Sequence, residues 1–132
     1  MRSATLGSIV GISSRFSREE SLGVFARMCF IRQFEFRVKR AYDEKQIKMP
    51  VYLSVGQESV AAALSLAFPK VAIFAQHRAH DLYLAYGGNP RALVDELLHR
   101  PSGCAGGMGG SASIHSPEIG MFGHSGLLGD QV

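Results

Sequence analysis

Between Pro101 and Ser125 the chain carries seven glycines, at positions 103, 106, 107, 109, 110, 120 and 123, interleaved with serines and histidines. Most connections in compact domains are roughly 4–6 residues long, and longer irregular stretches are functional or disordered. Glycines let backbone approach a ligand closely, because no Cβ stands in the way. They also raise the entropy lost on ordering, on the order of 1–2 kcal/mol per fixed residue. Such a loop is expected to be held only where a ligand or partner supplies compensating contacts.

The segments before the loop read as helices around the start of a parallel sheet, an α/β pattern. Residues 1–16 form an N-terminal arm. Ser17 and Glu20 fit a capping box, in which each side chain satisfies the other's backbone N–H. A long helix is expected from there to about Gln46. Its apolar residues, including Leu22, Phe25, Met28, Ile31, Phe34 and Phe36, cover a wide arc, the pattern of a helix buried on several sides. A second, alanine-rich helix is expected over Gln57–Phe68. Val71–Ala75 is a continuous apolar run of strand length, as in a buried parallel strand. A short helix follows over Ala79–Tyr86 and stops at Gly87-Gly88. Asn89-Pro90 supplies an N-cap followed by proline at the first helical position, and starts a helix to about Arg100.

Composition narrows the function classes. With 132 residues, 46% of them hydrophobic, the chain suits one globular domain or part of one and is too apolar for a disordered segment. The net charge is only +3, and the densest basic group, Arg37, Lys39 and Arg40, is interleaved with Glu35, Asp43 and Glu44. Nucleic-acid footprints cluster on one face, so no nucleic-acid partner is expected. Cys29 and Cys104 are far apart and form no CxxC, which argues against a disulfide framework or a zinc site and for a reducing, cytoplasmic setting. The apolar patch Leu6–Ile12 is too short for a membrane span. No convincing leader cleavage site follows it.

His77-Arg78-Ala79-His80 comes directly after the apolar run. Ligands of open α/β sheets bind just beyond the carboxyl ends of strands. Arginine there grips phosphate with two hydrogen bonds. The alternative is a structural ion pair for Arg78, with the histidines capping a turn. Glycine-rich loops also cradle phosphates through backbone N–H groups, but this one matches neither GxGxxG after a strand nor GxxxxGK[ST]. His115, His124, Glu118 and Asp130 match no standard zinc spacing.

In order, these segments resemble the N-terminal part of the α subunit of a thiamine diphosphate-dependent 2-oxo acid dehydrogenase E1 component, the family of pyruvate, branched-chain 2-oxo acid and acetoin dehydrogenases. The resemblance covers about Ser17 to Val132. It rests on Ile31-Arg32-Gln33-Phe34-Glu35, Leu53-Ser54-Val55-Gly56-Gln57-Glu58, His77-Arg78-Ala79-His80, Gly103-Cys104-Ala105 with Met108-Gly109-Gly110-Ser111, and Gly126-Leu127-Leu128-Gly129-Asp130-Gln131. It implies that residues 17–132 are the N-terminal portion of a thiamine diphosphate-binding fold, incomplete in this chain.

The resemblance also implies site roles. Arg78 would bind the cofactor's diphosphate. His77 stands where the family commonly has tyrosine, and a neutral imidazole still donates one hydrogen bond. The Gly126 carbonyl and Leu128 N–H would hold the aminopyrimidine. Ser125, Asp130 and Gln131 correspond to positions that help hold a monovalent cation in some relatives. His80 is the candidate catalytic side chain. His115 and His124 are further candidates for lining the site.

The implied reaction is decarboxylation of a 2-oxo acid with thiamine diphosphate as electron sink, followed by acyl transfer to a lipoyl group on an E2 partner. The glutamate that activates the cofactor would come from the E1 β subunit. The family's Mg²⁺ ligands, a GDG motif and a downstream Asn, would lie beyond Val132, in the remainder of the α subunit or a completing chain. The isolated chain is therefore expected to be inactive. The alternative is a non-catalytic assembly module whose glycine loop is an interface.

Overall fold

The structure, a computed structural model, describes residues 16–124. The elements in chain order are α1 (Arg18–Asp43), α2 (Glu58–Ala67), β1 (Ile73–Ala75), α3 (His80–Ala85), α4 (Pro90–Leu97), a 3₁₀ turn (Pro117–Ile119) and β2 (Met121–His124).

The caps form where the sequence places them. Ser17 Oγ accepts the Glu20 N–H at 3.1 Å, and the Ser17 N–H donates to Glu20 Oε2 at 2.8 Å. Asn89 Oδ1 accepts the Arg91 N–H at 2.9 Å, with Pro90 opening α4. Helix α4 stops at Leu97, earlier than expected, and His99 beyond it takes φ +54. Helix α1 likewise ends at Asp43 and not at Gln46.

β1 and β2 pair in parallel, Ile73 opposite Met121, which bears out helices around a parallel sheet. The strand is shorter than the apolar run, however, and its burial alternates. Ile73 and Ala75 are buried, while Phe74 is 69% exposed and stacks on exposed Phe122 with ring centroids 5.9 Å apart. Parallel strands are ordinarily covered on both faces. Among the described residues only one face is covered, as befits a partial domain.

The core gathers Ile31, Phe34 and Val38 of α1 against Ala61, Tyr83, Leu84, Leu93, Leu97, Ile114 and Met121. The wide apolar arc of α1 does not all enter it. Leu22, Phe25 and Phe36 remain exposed, and the buried stripe is Ile31, Phe34, Glu35 and Val38. Two further charged side chains, Glu58 and Glu96, are also buried. Among the described residues, no helix is long and apolar enough to cross a membrane.

Candidate functional site

β1 ends at Ala75, and the chain turns through Gln76, His77 and Arg78 into α3. Arg78 is exposed, and its Nη1 donates to the Leu53 carbonyl at 2.7 Å. Among the described residues no carboxylate pairs with it. The structural ion pair left open by the sequence is thus absent there. One N–H of five is engaged with a backbone carbonyl, so the guanidinium keeps donors for an anion. The half-buried His77 ring meets the Tyr52 ring edge-on, with centroids 4.9 Å apart and planes at 73°.

The short segment 52–54 is therefore the floor of this site, and three distant parts of the chain hold it. The Tyr52 N–H donates to Ser111 Oγ at 2.9 Å. The Leu53 carbonyl takes the Arg78 bond. The Ser54 N–H donates to Glu35 Oε1 at 3.0 Å.

Below the floor lies a fully buried chain of side chains. His80 Nδ1 meets Glu35 Oε2 at 3.2 Å, and His80 Nε2 meets Ser111 Oγ at 2.9 Å. A carboxylate oxygen only accepts, so in the neutral imidazole the proton sits on Nδ1 and Nε2 accepts the Ser111 hydroxyl. The expected catalytic candidate His80 is thus placed in the interior, beneath the Arg78 turn. Its exposure is 0%, and both ring nitrogens are committed to protein partners. It braces the site floor from inside. Asp81, next in α3, is also buried. Burial pushes its carboxyl above the ordinary range, against the opposing bond from the Leu82 N–H. The neighbouring Ser54 hydroxyl is buried and makes no well-formed hydrogen bond.

The glycine loop is organised by the chain's own anion. Glu96, fully buried, accepts four backbone N–H groups. Ala105 and Gly107 donate to Oε2 at 2.7 and 2.9 Å, and Gly109 and Gly110 to Oε1, both at 2.8 Å. Burial raises the Glu96 pKa, but these four donors outweigh it and the net shift is downward. His99 Nδ1 adds a bond to the Gly107 carbonyl at 3.0 Å. The expectation that a ligand or partner must hold this loop is corrected here, because a carboxylate already fills the nest that a phosphate would use. Gly103 shows how tightly the two fit. A Cβ there would lie 2.4 Å from Glu96 Oε2 and 2.7 Å from the Glu96 Cα.

Two hydroxyl or thiol groups near the loop, Cys104 and Ser111, are poorly placed to act as nucleophiles. Burial, then the charge of Glu96, pushes the Cys104 thiol up to about 11. Ser111 is fully buried. His115 is exposed, and the nearby Glu118 carboxylate accepts the Ser116 hydroxyl. Among the described residues, no three His, Cys, Asp or Glu side chains gather as a metal site. Arg32 grips Glu58 with Nε and Nη2, at 2.5 and 2.9 Å, and holds that carboxyl at about 2. Ser125, Gly126, Leu128, Asp130 and Gln131 lie outside the described residues, as do residues 1–15, and the side chain of His124 is likewise not described.

Sequence reasoning missed Glu35 and Glu96 as organisers. One signal was available. Each carboxylate falls on the buried stripe of its helix, Glu35 four residues after Ile31 and Glu96 three after Leu93. A buried charge must find partners.

Arg78 and His77 fit the diphosphate of the implied cofactor, since an exposed guanidinium and a half-buried imidazole stand together beyond a strand's carboxyl end. The sequence profile of the dehydrogenase E1 component family matches residues 26–132. The chain is 38% identical over 117 residues to the pyruvate dehydrogenase E1 component subunit alpha of Zymomonas mobilis, which covers 87% of this chain and 33% of that one. It is 39% identical over 106 residues to the mitochondrial subunit of that name from Chaetomium thermophilum, covering 80% and 25%. Against the mitochondrial alpha-1 subunit of Arabidopsis thaliana it is 34% identical over 117 residues, covering 88% and 30%. The chain thus spans a quarter to a third of the length of these relatives. The resemblance drawn from its motifs is borne out.

Proposed function

This chain belongs to the dehydrogenase E1 component family, and from that premise we propose that it supplies the diphosphate grip of a thiamine diphosphate-dependent 2-oxo acid dehydrogenase. The observation that carries the reading is Arg78. It stands exposed just past β1, its guanidinium aimed by the Leu53 carbonyl at 2.7 Å and free of carboxylate partners among the described residues.

In this reading residues 17–132 are the first part of the cofactor-binding domain of an α subunit. The remainder of the α subunit or a completing chain supplies the Mg²⁺ ligands, and an E1 β subunit supplies the activating glutamate. Thiamine diphosphate, when bound, supplies the electron sink for decarboxylation of a 2-oxo acid. The acyl group passes to a lipoyl-bearing E2. Arg78 neutralises and orients the diphosphate, and His77 donates one further hydrogen bond. Gly126 and Leu128 are kept as the aminopyrimidine contacts, and Ser125, Asp130 and Gln131 as the monovalent-cation positions. His80, Glu35 and Ser111 keep the floor at residues 52–54 in register. In this reading the chain works in a reducing, cytoplasmic setting.

One observation favours the alternative of a non-catalytic assembly module. Glu96 holds the glycine loop without a ligand, and Met108 on that loop is 89% exposed, as an interface residue would be. The assembled α and β subunits, supplied with Mg²⁺, separate the two readings. A cofactor bound well below its working concentration raises stability by about RT ln(1 + [L]/Kd). The enzyme reading predicts a thermal shift with thiamine diphosphate and cofactor-dependent release of CO₂ from a 2-oxo acid. Absence of both outcomes would leave the assembly module standing.

A further inference from the structure

We propose that Tyr52 is a positioning residue for the anion site, setting through its ring the orientation of His77 beside Arg78. This deepens the cofactor reading above and rests on it. The inference starts from what His77 lacks. Its imidazole makes no hydrogen bond among the described residues, and its ring contact is with Tyr52, at 4.9 Å and 73°. Rotation of a histidine ring about its last side-chain bond is broad and roughly two-fold. Packing therefore decides which ring edge faces a ligand. An edge-to-face aromatic contact is the arrangement that holds such a ring.

Tyr52 is itself well placed to act as a template. Its N–H is tied to Ser111 Oγ at 2.9 Å, and Ser111 is tied to His80 and so to Glu35. Two residues on, the Ser54 N–H is tied to Glu35 at 3.0 Å. Between them the Leu53 carbonyl aims Arg78. Adjacent residues of one braced segment thus orient adjacent residues of the turn, Leu53 holding Arg78 and Tyr52 holding His77. The ligand this suits is a diphosphate-class anion, which takes a forked guanidinium and a single imidazole donor together. Tyr52 acts through His77, so the ring and not the hydroxyl is the active part.

The test is a double-mutant cycle on the assembled enzyme, with thiamine diphosphate and Mg²⁺ titrated calorimetrically. Tyr52→Ala should weaken binding about fivefold, the scale of an aromatic pair. Tyr52→Phe should stay within about twofold of wild type. In a His77→Ala background, Tyr52→Ala should add nothing, because coupled residues are non-additive. Tyr52→Leu gives the same reading should the alanine variant fail to assemble. Additive losses, an unchanged Tyr52→Ala, or a Tyr52→Phe as weak as Tyr52→Ala would each overturn the proposal. Arg78→Ala in parallel separates the levels. Weakened binding there with Tyr52→Ala unchanged sinks only the role of Tyr52, whereas both unchanged sinks the site.

Discussion

The Gly110 N–H donates to the Glu96 carboxylate at 2.8 Å. With three companion bonds, it makes a buried side chain the organiser of the most glycine-rich part of the molecule. Glu96→Gln replaces a charged acceptor of four N–H groups by a neutral one with a single acceptor oxygen, leaving at least one pair of donors poorly served. Hydrogen bonds to charged groups contribute roughly 1.5–3 kcal/mol each, and unsatisfied buried groups are costly. The expected loss of stability in urea unfolding is about 2–4 kcal/mol. Hydrogen exchange gives a local check. The amides of Ala105, Gly107, Gly109 and Gly110 should be protected in the wild type without cofactor and exchange faster in the variant.

Two glycines of the same loop should respond differently to alanine. At Gly103 a Cβ would sit 2.7 Å from the Glu96 Cα, backbone that has no room to retreat. At Gly106 nothing lies within 4 Å, and only the φ of +69 opposes a side chain. Gly106→Ala should cost about 1–2 kcal/mol, the strain of a left-handed residue. Gly103→Ala should cost clearly more and disturb the bonds to Glu96. Thermal unfolding of the two variants side by side checks the order.

The Arg32–Glu58 pair predicts an acid dependence. The bonds from Arg32 hold the Glu58 carboxyl at about 2, well below its ordinary value of 4.5, despite burial that acts the other way. A depressed carboxylate contributes stability that is fully present above the unfolded pKa and is lost as pH falls through the folded one. The Arg32 side chain is 42% exposed, so solvent screens the pair and a contribution of about 1–2 kcal/mol is expected. The stability gap between wild type and Glu58→Gln should be constant from pH 5 to 7 and shrink between about 4.5 and 2. Urea titrations across that range measure it.

How much of this was legible in the sequence depended on distance along the chain. The Ser17–Glu20 capping box and the Asn89-Pro90 start are contacts over three residues or fewer, and both form as read. The apolar run ending at Ala75 identified a parallel strand, but not that Phe74 would stay exposed, because that depends on what covers the sheet. The family motifs located Arg78 correctly beyond that strand. His80 stands in the same motif, yet the bonds that bury it reach 45 residues back to Glu35 and 31 forward to Ser111. No local pattern reports such partners. The same holds for Glu96, which meets its last amide 14 residues later. The glycine spacing matched no phosphate-loop motif, yet the loop does cradle an anion, and that anion is part of the chain.

Arg78→Ala, titrated with thiamine diphosphate and Mg²⁺ in the assembled enzyme, tests the site most directly. Arg78 is exposed, with its backbone-carbonyl bond to Leu53 at 2.7 Å, so its removal should leave folding nearly intact. A charge-assisted hydrogen bond to the diphosphate is expected to contribute roughly 1.5–3 kcal/mol, a loss of about ten- to a hundredfold or slightly more in affinity. Calorimetry showing that weakening, with an unchanged thermal midpoint in the absence of cofactor, is the predicted result. Equal affinity of wild type and variant would contradict the assignment of the diphosphate to Arg78.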